Sequence, residues 1–313
     1  MPKPSSPQQE PPPMNEPAAT HPLYLEPVDD GLPVRETGPW TAEKLDYLRR
    51  YMAMFTVGMH HKAFRALHYV DLFAGPGKCR IRDTGDILLG SPILALQADR
   101  PFDRYYLSDF DQGSIRALDQ RCRASPLAQR VSSRVGDANV LVHEVVQEIA
   151  DIDAPYRNGV WPSLNLAFLD PEGLELQWAT VEALGSARRM DLIINYSEGG
   201  LNRYMPEAIS HDDGTAVDRF FGDRLWRAIY SDPRPRIDLH RRLLDHYKAK
   251  LEKLGYADVQ STEEPLIRNE QKNAPLYRLL FASKHAMGNK FWRQVLKRDV
   301  YGQTRLLESN LPY

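Results

Sequence analysis

Short apolar runs alternate with amphipathic segments through the middle of the chain. Four such runs occupy residues 68–73, 105–108, 164–169 and 191–196, and the more polar segment from Val131 to Val135 is expected to form a further strand. The segments between them, such as 112–123, 139–150 and 179–187, carry apolar residues at helical spacing. Continuous apolar runs are typical of parallel strands that are covered on both faces by crossover helices. The pattern therefore predicts an α/β fold with a doubly wound, Rossmann-type sheet that is mainly parallel.

Further elements are expected at both ends of this core. Apolar residues at helical spacing predict an N-terminal helix from about Thr41 to Gly58. Two apolar runs near 256–267 and 276–284 predict a final antiparallel pair of strands, which brings the sheet to seven strands. Helices are expected near 238–254 and 288–298. Residues 197–236 break the alternation, and we interpret them as an insertion after strand five that covers the substrate.

The first 38 residues differ in composition from the rest of the chain. Ten of the 24 prolines fall in the first 35 residues, and large apolar side chains are scarce there. Such a segment buries too little surface to offset the entropy of ordering, so we predict a disordered, dispensable tail over 1–38 and one domain over 39–313. No secretory signal or stretch of 18 apolar residues occurs, and only Cys79 and Cys122 are present. A cytoplasmic protein with neither a disulfide scaffold nor a metal site is expected.

Charge is distributed unevenly along the chain. Residues 1–218 contain 31 acidic and 21 basic side chains, whereas residues 219–313 contain 11 acidic and 19 basic ones. A basic final third is compatible with an anionic partner such as nucleic acid, and equally with ordinary solvated helix faces.

A glycine-rich turn follows the first predicted strand. The sequence Val70-Asp-Leu-Phe-Ala-Gly-Pro-Gly77 places two glycines where a ligand would approach the backbone closely. Asp109, Asp137 and Asp170 end the next three strands. Because parallel strands end at one edge of a sheet, the turn and the three acids are expected to lie together, where open α/β folds bind ligands.

The spacing around this turn disfavours two common nucleotide sites. A dinucleotide fingerprint needs a third glycine that leads directly into a helix, but helix entry here is delayed to Ser91-Pro92. The Gly77-Lys78 pair lacks the upstream glycine and the Ser or Thr of a phosphate-binding P-loop. S-adenosylmethionine (SAM) is the remaining expectation.

Six motifs can be compared with known families: YVDLFAGPG (69–77), GSPILAL (90–96), PFDRYYLSDFD (101–111), VGDAN (135–139), FLDPEGLELQW (168–178) and LLFASKHAMGNKFW (279–292). As a set they resemble the motifs of the class I SAM-dependent methyltransferases, and more closely those of the three-Cys-motif partner (TcmP) family. The resemblance covers about residues 40–295. It implies the methyltransferase fold, SAM as cofactor, and a partner protein that carries a three-cysteine motif, which this chain itself lacks.

The resemblance also assigns cofactor-binding roles by position. Asp109 would accept both ribose hydroxyls, with Asp111 as the alternative, and Asp137 would accept from the adenine amine beside the backbone of Ala138. The methionine portion would lie against Asp71, Ala74, Gly75, Pro76 and Gly77, with Gly90 and Ser91 opening the facing helix.

The end of strand four is the candidate site of chemistry. Asp170-Pro171-Glu172-Gly173 occupies the place of the (Asp/Asn)-Pro-Pro-(Tyr/Phe) motif of amino-methyltransferases, but it lacks the second proline and the aromatic residue. We expect Asp170 and Glu172 to orient a nucleophile or take its proton. Tyr196 and Trp292 are candidate substrate contacts, the latter by stacking on a base.

Three functions remain open at this stage. The first is a SAM-dependent methyltransferase that acts on nucleic acid or a nucleotide-like substrate. The second is a small-molecule methyltransferase. The third is a non-catalytic methyltransferase-fold protein that acts through protein contacts; the presence of both Asp170 and Glu172 favours catalysis. No membrane association is expected.

Overall fold

The computed structural model describes residues 22–154, 159–187, 189–212, 214–269 and 271–298. The strands are β1 (Arg35–Thr37), β2 (Leu67–Asp71), β3 (Lys78–Ile81), β4 (Ile87–Leu89), β5 (Arg104–Asp109), β6 (Val131–Val135), β7 (Leu164–Leu169), β8 (Met190–Tyr196), β9 (Leu266–Asn269) and β10 (Ala274–Ala282). The main sheet has the order β6-β5-β2-β7-β8-β10-β9. Its first five strands are parallel, and β10 runs antiparallel to both β8 and β9. The predicted seven-stranded, mainly parallel sheet is confirmed.

Helices cover both faces of this sheet. They are α1 (Trp40–Met59), α2 (Ser91–Leu96), α3 (Gln112–Arg123), α4 (Ala138–Asp153), α5 (Trp178–Ser186), α6 (Glu198–Ala208), α7 (Ala216–Phe221), α8 (Leu225–Ser231), α9 (Leu239–Lys253) and α10 (Ala286–Leu296). Side chains of α1, α2, α3 and α10 form one apolar core with the sheet. Side chains of α4 to α9 form a second core on the opposite face. The doubly wound arrangement follows, because the central strands β2, β5, β7 and β8 bury both of their faces.

The segment before α1 is folded. A 3₁₀ turn covers Pro22–Leu25, and β1 pairs in parallel with β3, which forms a hairpin with β4. The side chain of Asp30 is fully buried, with oxygens 2.8 Å from Lys78 Nζ and 2.7 Å from Arg121 Nη2. The predicted disorder over 1–38 is therefore wrong for residues 22–38, and residues 1–21 lie outside the described residues.

The predicted insertion at 197–236 consists largely of α6, α7 and α8. Leu201, Val217, Phe220 and Trp226 are fully buried in the second core. The insertion therefore extends the domain instead of forming a loose loop. No helix within the described ranges is long and apolar enough to cross a bilayer.

Candidate functional site

A cleft of about 420 Å³ opens at the carboxyl edge of the main sheet. The turns that follow β2, β7 and β8 form its floor, and residues of β1, α1, α6 and β10 form its walls. A second, more apolar cavity of about 540 Å³ lies at the amino edge, lined by residues such as Leu164 and Asp191 at the starts of β7 and β8. None of the predicted site residues lines that second cavity. The cleft at the carboxyl edge is therefore the candidate functional site.

The glycine-rich turn adopts the backbone conformation that glycine permits. Gly75 and Gly77 have φ values of +59° and +88°. A Cβ on Gly90 would lie 2.9 Å from the carbonyl oxygen of Gly77, because the β3–β4 hairpin brings the two backbones together. These glycines, with Ala74, Pro76 and Ser91, line the cleft.

Asp71 lies beneath this turn instead of in the cleft. It is fully buried, and its carboxylate accepts from the Tyr69 hydroxyl at 3.1 Å and from the Phe73 N–H at 3.3 Å. Burial raises the pKa of Asp71 to about 7, although a hydrogen bond from Ser91 opposes the shift. Its predicted contact with the methionine portion of the cofactor is not supported by this geometry. Asp71 instead links β2 to the start of α2 and so positions the glycine turn.

Asp109 faces the glycine turn, and its carboxylate already accepts hydrogen bonds from groups of the protein. Oδ2 accepts from the Gly75 N–H at 2.8 Å and from Arg35 Nη2 at 3.1 Å, and Oδ1 accepts from the Asp111 N–H at 2.9 Å. A carboxylate has about four acceptor positions, so this geometry leaves room for one further donor. The two ribose hydroxyls predicted for Asp109 could both bind only after Arg35 withdraws.

The other predicted adenosine contacts lie at helix starts. Asp111 caps α3 by accepting from the Ser114 N–H at 2.6 Å, so its carboxylate is directed to the helix instead of the glycine turn. Asp137 is exposed and caps α4 by accepting from the Asn139 N–H at 2.8 Å. Ala138 is buried at the first turn of α4. Of the two acids expected at the ribose, Asp109 contacts the glycine turn and Asp111 caps α3.

Asp170 and Glu172 both line the cleft, in different surroundings. Asp170 Oδ2 lies 2.5 Å from Lys44 Nζ, and Oδ1 accepts from Asn195 Nδ2 at 2.7 Å. Glu172 is 73% exposed, with Oε1 3.5 Å from Arg35 Nε. Asp170 is thus held in a fixed orientation, whereas Glu172 remains open to solvent.

Two predicted substrate contacts are wrong. Tyr196 is fully buried in the second core and packs against Phe220 and Tyr247. Trp292 is fully buried in the first core, where its ring stacks on Phe281 and its indole N–H donates to the Glu263 carbonyl at 3.0 Å. Neither side chain lines the cleft, so neither can stack on a ligand there.

Several residues that line the cleft were not among those predicted from the sequence. These are Arg35, Trp40, Lys44, Arg82, Asn195, Arg203 and Tyr277. One of them left a signal in the sequence. Lys44 falls on the apolar stripe of α1, one turn before Leu48 and two turns before Tyr51, and a lysine in a buried stripe needs a charged partner.

Comparisons with known proteins give distant likenesses. No family model matches the chain, and no curated protein matches it. Among solved structures, an O-methyltransferase from Bacillus cereus in complex with S-adenosylhomocysteine (SAH) is 14% identical, with a TM-score of 0.39 and coverage of 81% of this chain and 84% of that one. A geranyl diphosphate C-methyltransferase from Streptomyces coelicolor is 14% identical, with a TM-score of 0.30 and coverage of 74% and 78%. A protein from Legionella pneumophila is 13% identical, with a TM-score of 0.38 and coverage of 58% and 74%.

Proposed function

We propose that this protein binds SAM at the carboxyl edge of the sheet and transfers its methyl group to a nucleotide-like or nucleic-acid substrate. The observation that carries the proposal is the cleft itself. It combines the glycine turn after β2 with two carboxylates after β7, the arrangement expected from the resemblance to class I methyltransferases. The proposal also includes membership of the three-Cys-motif partner family, and with it a partner that carries that motif.

The residues fit such a cofactor in part. The turn at Gly75 and Gly77 lets a ligand approach the backbone, because no Cβ stands in the way. Arg35 has its guanidinium about 3.2 Å from the position of a Cβ on Gly75, so it overlies the turn. We propose that Arg35 exchanges Asp109 for the carboxylate of the cofactor, which frees Asp109 for the ribose. SAM supplies a methyl group that is already activated by the positive sulfur.

Residues of this chain would orient the nucleophile and remove its proton. Lys44 and Asn195 hold the Asp170 carboxylate, so Asp170 can accept a hydrogen bond from the nucleophile and fix its direction. Glu172 is the better proton acceptor because its exposed carboxylate can pass the proton to water. The basic final third of the sequence supports an anionic substrate.

Calorimetric titration with SAM and SAH tests the cofactor proposal directly. We expect binding of both compounds, and SAM or SAH in mass spectra of the purified protein. Absence of binding at millimolar ligand would refute the proposal. If both bind but no nucleotide or nucleic acid is methylated, the choice of substrate is wrong and the cofactor assignment stands.

A further inference from the structure

Asn195 lines the cleft, and its side-chain amide carries a buried acceptor. The residue is 4% exposed, and its Nδ2 donates to Asp170 Oδ1 at 2.7 Å and to the Pro171 carbonyl oxygen at 3.3 Å. Both partners are acceptors, so the orientation of the amide is fixed and Oδ1 must point the other way. Within the described ranges, Oδ1 has no hydrogen-bond donor although it is buried. A ligand N–H would satisfy it.

A second polar group in the same cleft lacks a partner. Tyr277 on β10 is 7% exposed, and its hydroxyl makes no hydrogen bond within the part of the chain that the structure describes. Asn289 and Tyr247 also have buried polar atoms without partners, but those residues line neither of the two cavities. Asn195 and Tyr277 differ from them because both line the cleft beside Asp170.

Two cationic side chains stand at the rim of the cleft. Arg82 and Arg203 are exposed and line the cleft, and neither guanidinium has an ion-pair partner among the described residues. Guanidinium groups bind phosphate through paired N–H donors. The indole of Trp40 contributes a flat apolar surface to the same wall.

We infer that the cleft recognises a phosphorylated nucleoside whose base carries an exocyclic amino group. Asn195 Oδ1 accepts an N–H of that amine, the Tyr277 hydroxyl bonds to a neighbouring ring atom, and Arg82 and Arg203 bind the phosphate. A base with an oxo group at the same position is rejected, because its oxygen would face Asn195 Oδ1 as a second acceptor. The inference rests on the proposed function for the identity of the reacting group, but it concerns recognition alone.

The test measures nucleotide affinity without turnover. Calorimetry on the full chain compares AMP with IMP and CMP with UMP, each with and without SAH. At least one amino nucleotide is expected to bind roughly tenfold more tightly than its oxo counterpart. Asn195→Leu should reduce that preference to about onefold, whereas Asn289→Leu, which alters a similar buried amide outside the cleft, should preserve it.

A second pair of variants covers the case in which Asn195→Leu does not fold. Tyr277→Phe removes one hydroxyl from the cleft and should weaken binding of the preferred nucleotide several-fold. Tyr247→Phe removes an equally buried hydroxyl from the core and should leave nucleotide affinity unchanged. Equal affinities for amino and oxo nucleotides, an unchanged preference in folded Asn195→Leu, or equal effects of the two tyrosine changes would each overturn the inference.

A further binding experiment distinguishes a free nucleotide from a nucleotide within nucleic acid. A single-stranded hexanucleotide of the preferred base that binds at least tenfold more tightly than the mononucleotide indicates nucleic acid, and similar affinities indicate a free nucleotide. Arg82→Ala with Arg203→Ala should remove the advantage of AMP over adenosine. No binding of any nucleotide or oligonucleotide at millimolar concentration overturns the inference even where SAH binds. If SAH does not bind but amino nucleotides still bind more tightly than oxo nucleotides, only the methyltransferase proposal is refuted.

Discussion

The buried ion cluster around Asp30 should control the stability of the N-terminal segment. Lys78 and Arg121, each with a fully buried side chain, both contact the Asp30 carboxylate, and Arg121 donates in addition to the carbonyl oxygens of Pro33 and Pro76. The cluster thus joins the segment before β1 to the glycine turn and to α3. Asp30→Ala would leave two buried cations without their anion, and loss of one partner from a buried ion pair typically costs about 3–5 kcal/mol.

Urea and thermal unfolding measure this cost. A loss of that size should lower the Tm by about 10 °C for a domain of this length. Asp29→Ala is the matched control, because Asp29 is 58% exposed and its ion pair with Arg80 lies at the surface. Exposed pairs contribute about 1 kcal/mol or less. If Asp30→Ala costs no more than Asp29→Ala, the cluster does not stabilise the fold and the reasoning is refuted.

The pH dependence of the same variant gives an independent check. Burial by itself raises the pKa of Asp30, but hydrogen bonds from Arg121 and Lys78 outweigh it and hold that pKa well below its usual range. A carboxylate with a depressed folded-state pKa contributes stability that is fully present above its unfolded pKa and is lost as the pH falls. The stability difference between the wild type and Asp30→Ala should therefore be constant near neutrality and shrink below about pH 4.

Four further predictions follow from the fold and the cleft. Deletion of residues 1–38 should lower the Tm, because it removes Asp30 from the ion cluster and β1 from its pairing with β3; an unchanged Tm would show that the segment is dispensable. Asp109→Ala should weaken SAH binding by about 1.5–3 kcal/mol in calorimetry, whereas Asp111→Ala, which removes a helix cap, should change it little; equal effects would contradict the choice of Asp109 for the ribose. Burial raises the folded-state pKa of Asp71 to about 7, so wild-type stability should fall as the pH rises from about 4 to 7 and level off above that, and the Tm of Asp71→Asn should vary less between pH 5 and 7; parallel curves would refute this. Glu172→Gln should lower turnover about 10²–10⁴-fold with SAH affinity within a few-fold; full turnover would exclude Glu172 as the base.

The central sheet could be predicted because β2, β5, β7 and β8 are rich in apolar residues, and an aspartate stands at the end of the first three of these strands. The three-residue strand β1 could not. It pairs with β3, which lies more than 40 residues along the chain, and its own sequence, Arg-Glu-Thr, carries no apolar pattern. Composition predicted disorder because apolar burial is scarce there. The segment is ordered instead by ion pairs and backbone hydrogen bonds with distant residues, such as those of Asp30 and Arg121.

The error at Tyr196 has a simpler cause. Successive side chains of a strand point to opposite faces, so Asn195 and Tyr196 cannot both reach the cleft. In β8, Tyr196 joins Ile194 in the second core, and Asn195 is on the face of Ile193, toward α1. The alternation alone does not reveal which face of β8 adjoins the cleft. The packing of α1 against the end of β7, through Lys44 and Asp170, places the cleft on the face of Asn195.

Two cations of the N-terminal region bind the acids that were expected to have separate roles in the site. Arg35 of β1 joins Asp109, expected at the ribose, to Glu172, expected at the reaction, and Lys44 of α1 binds Asp170. Electrostatic attraction from Arg35 therefore acts on both ends of the cleft, and movement of its guanidinium away from Asp109 would also change the surroundings of Glu172. Groups that share one partner do not contribute independently. Arg35 belongs to residues 22–38, so the ordering of this segment contributes to the site: without it, no cation of β1 would join Asp109 to Glu172.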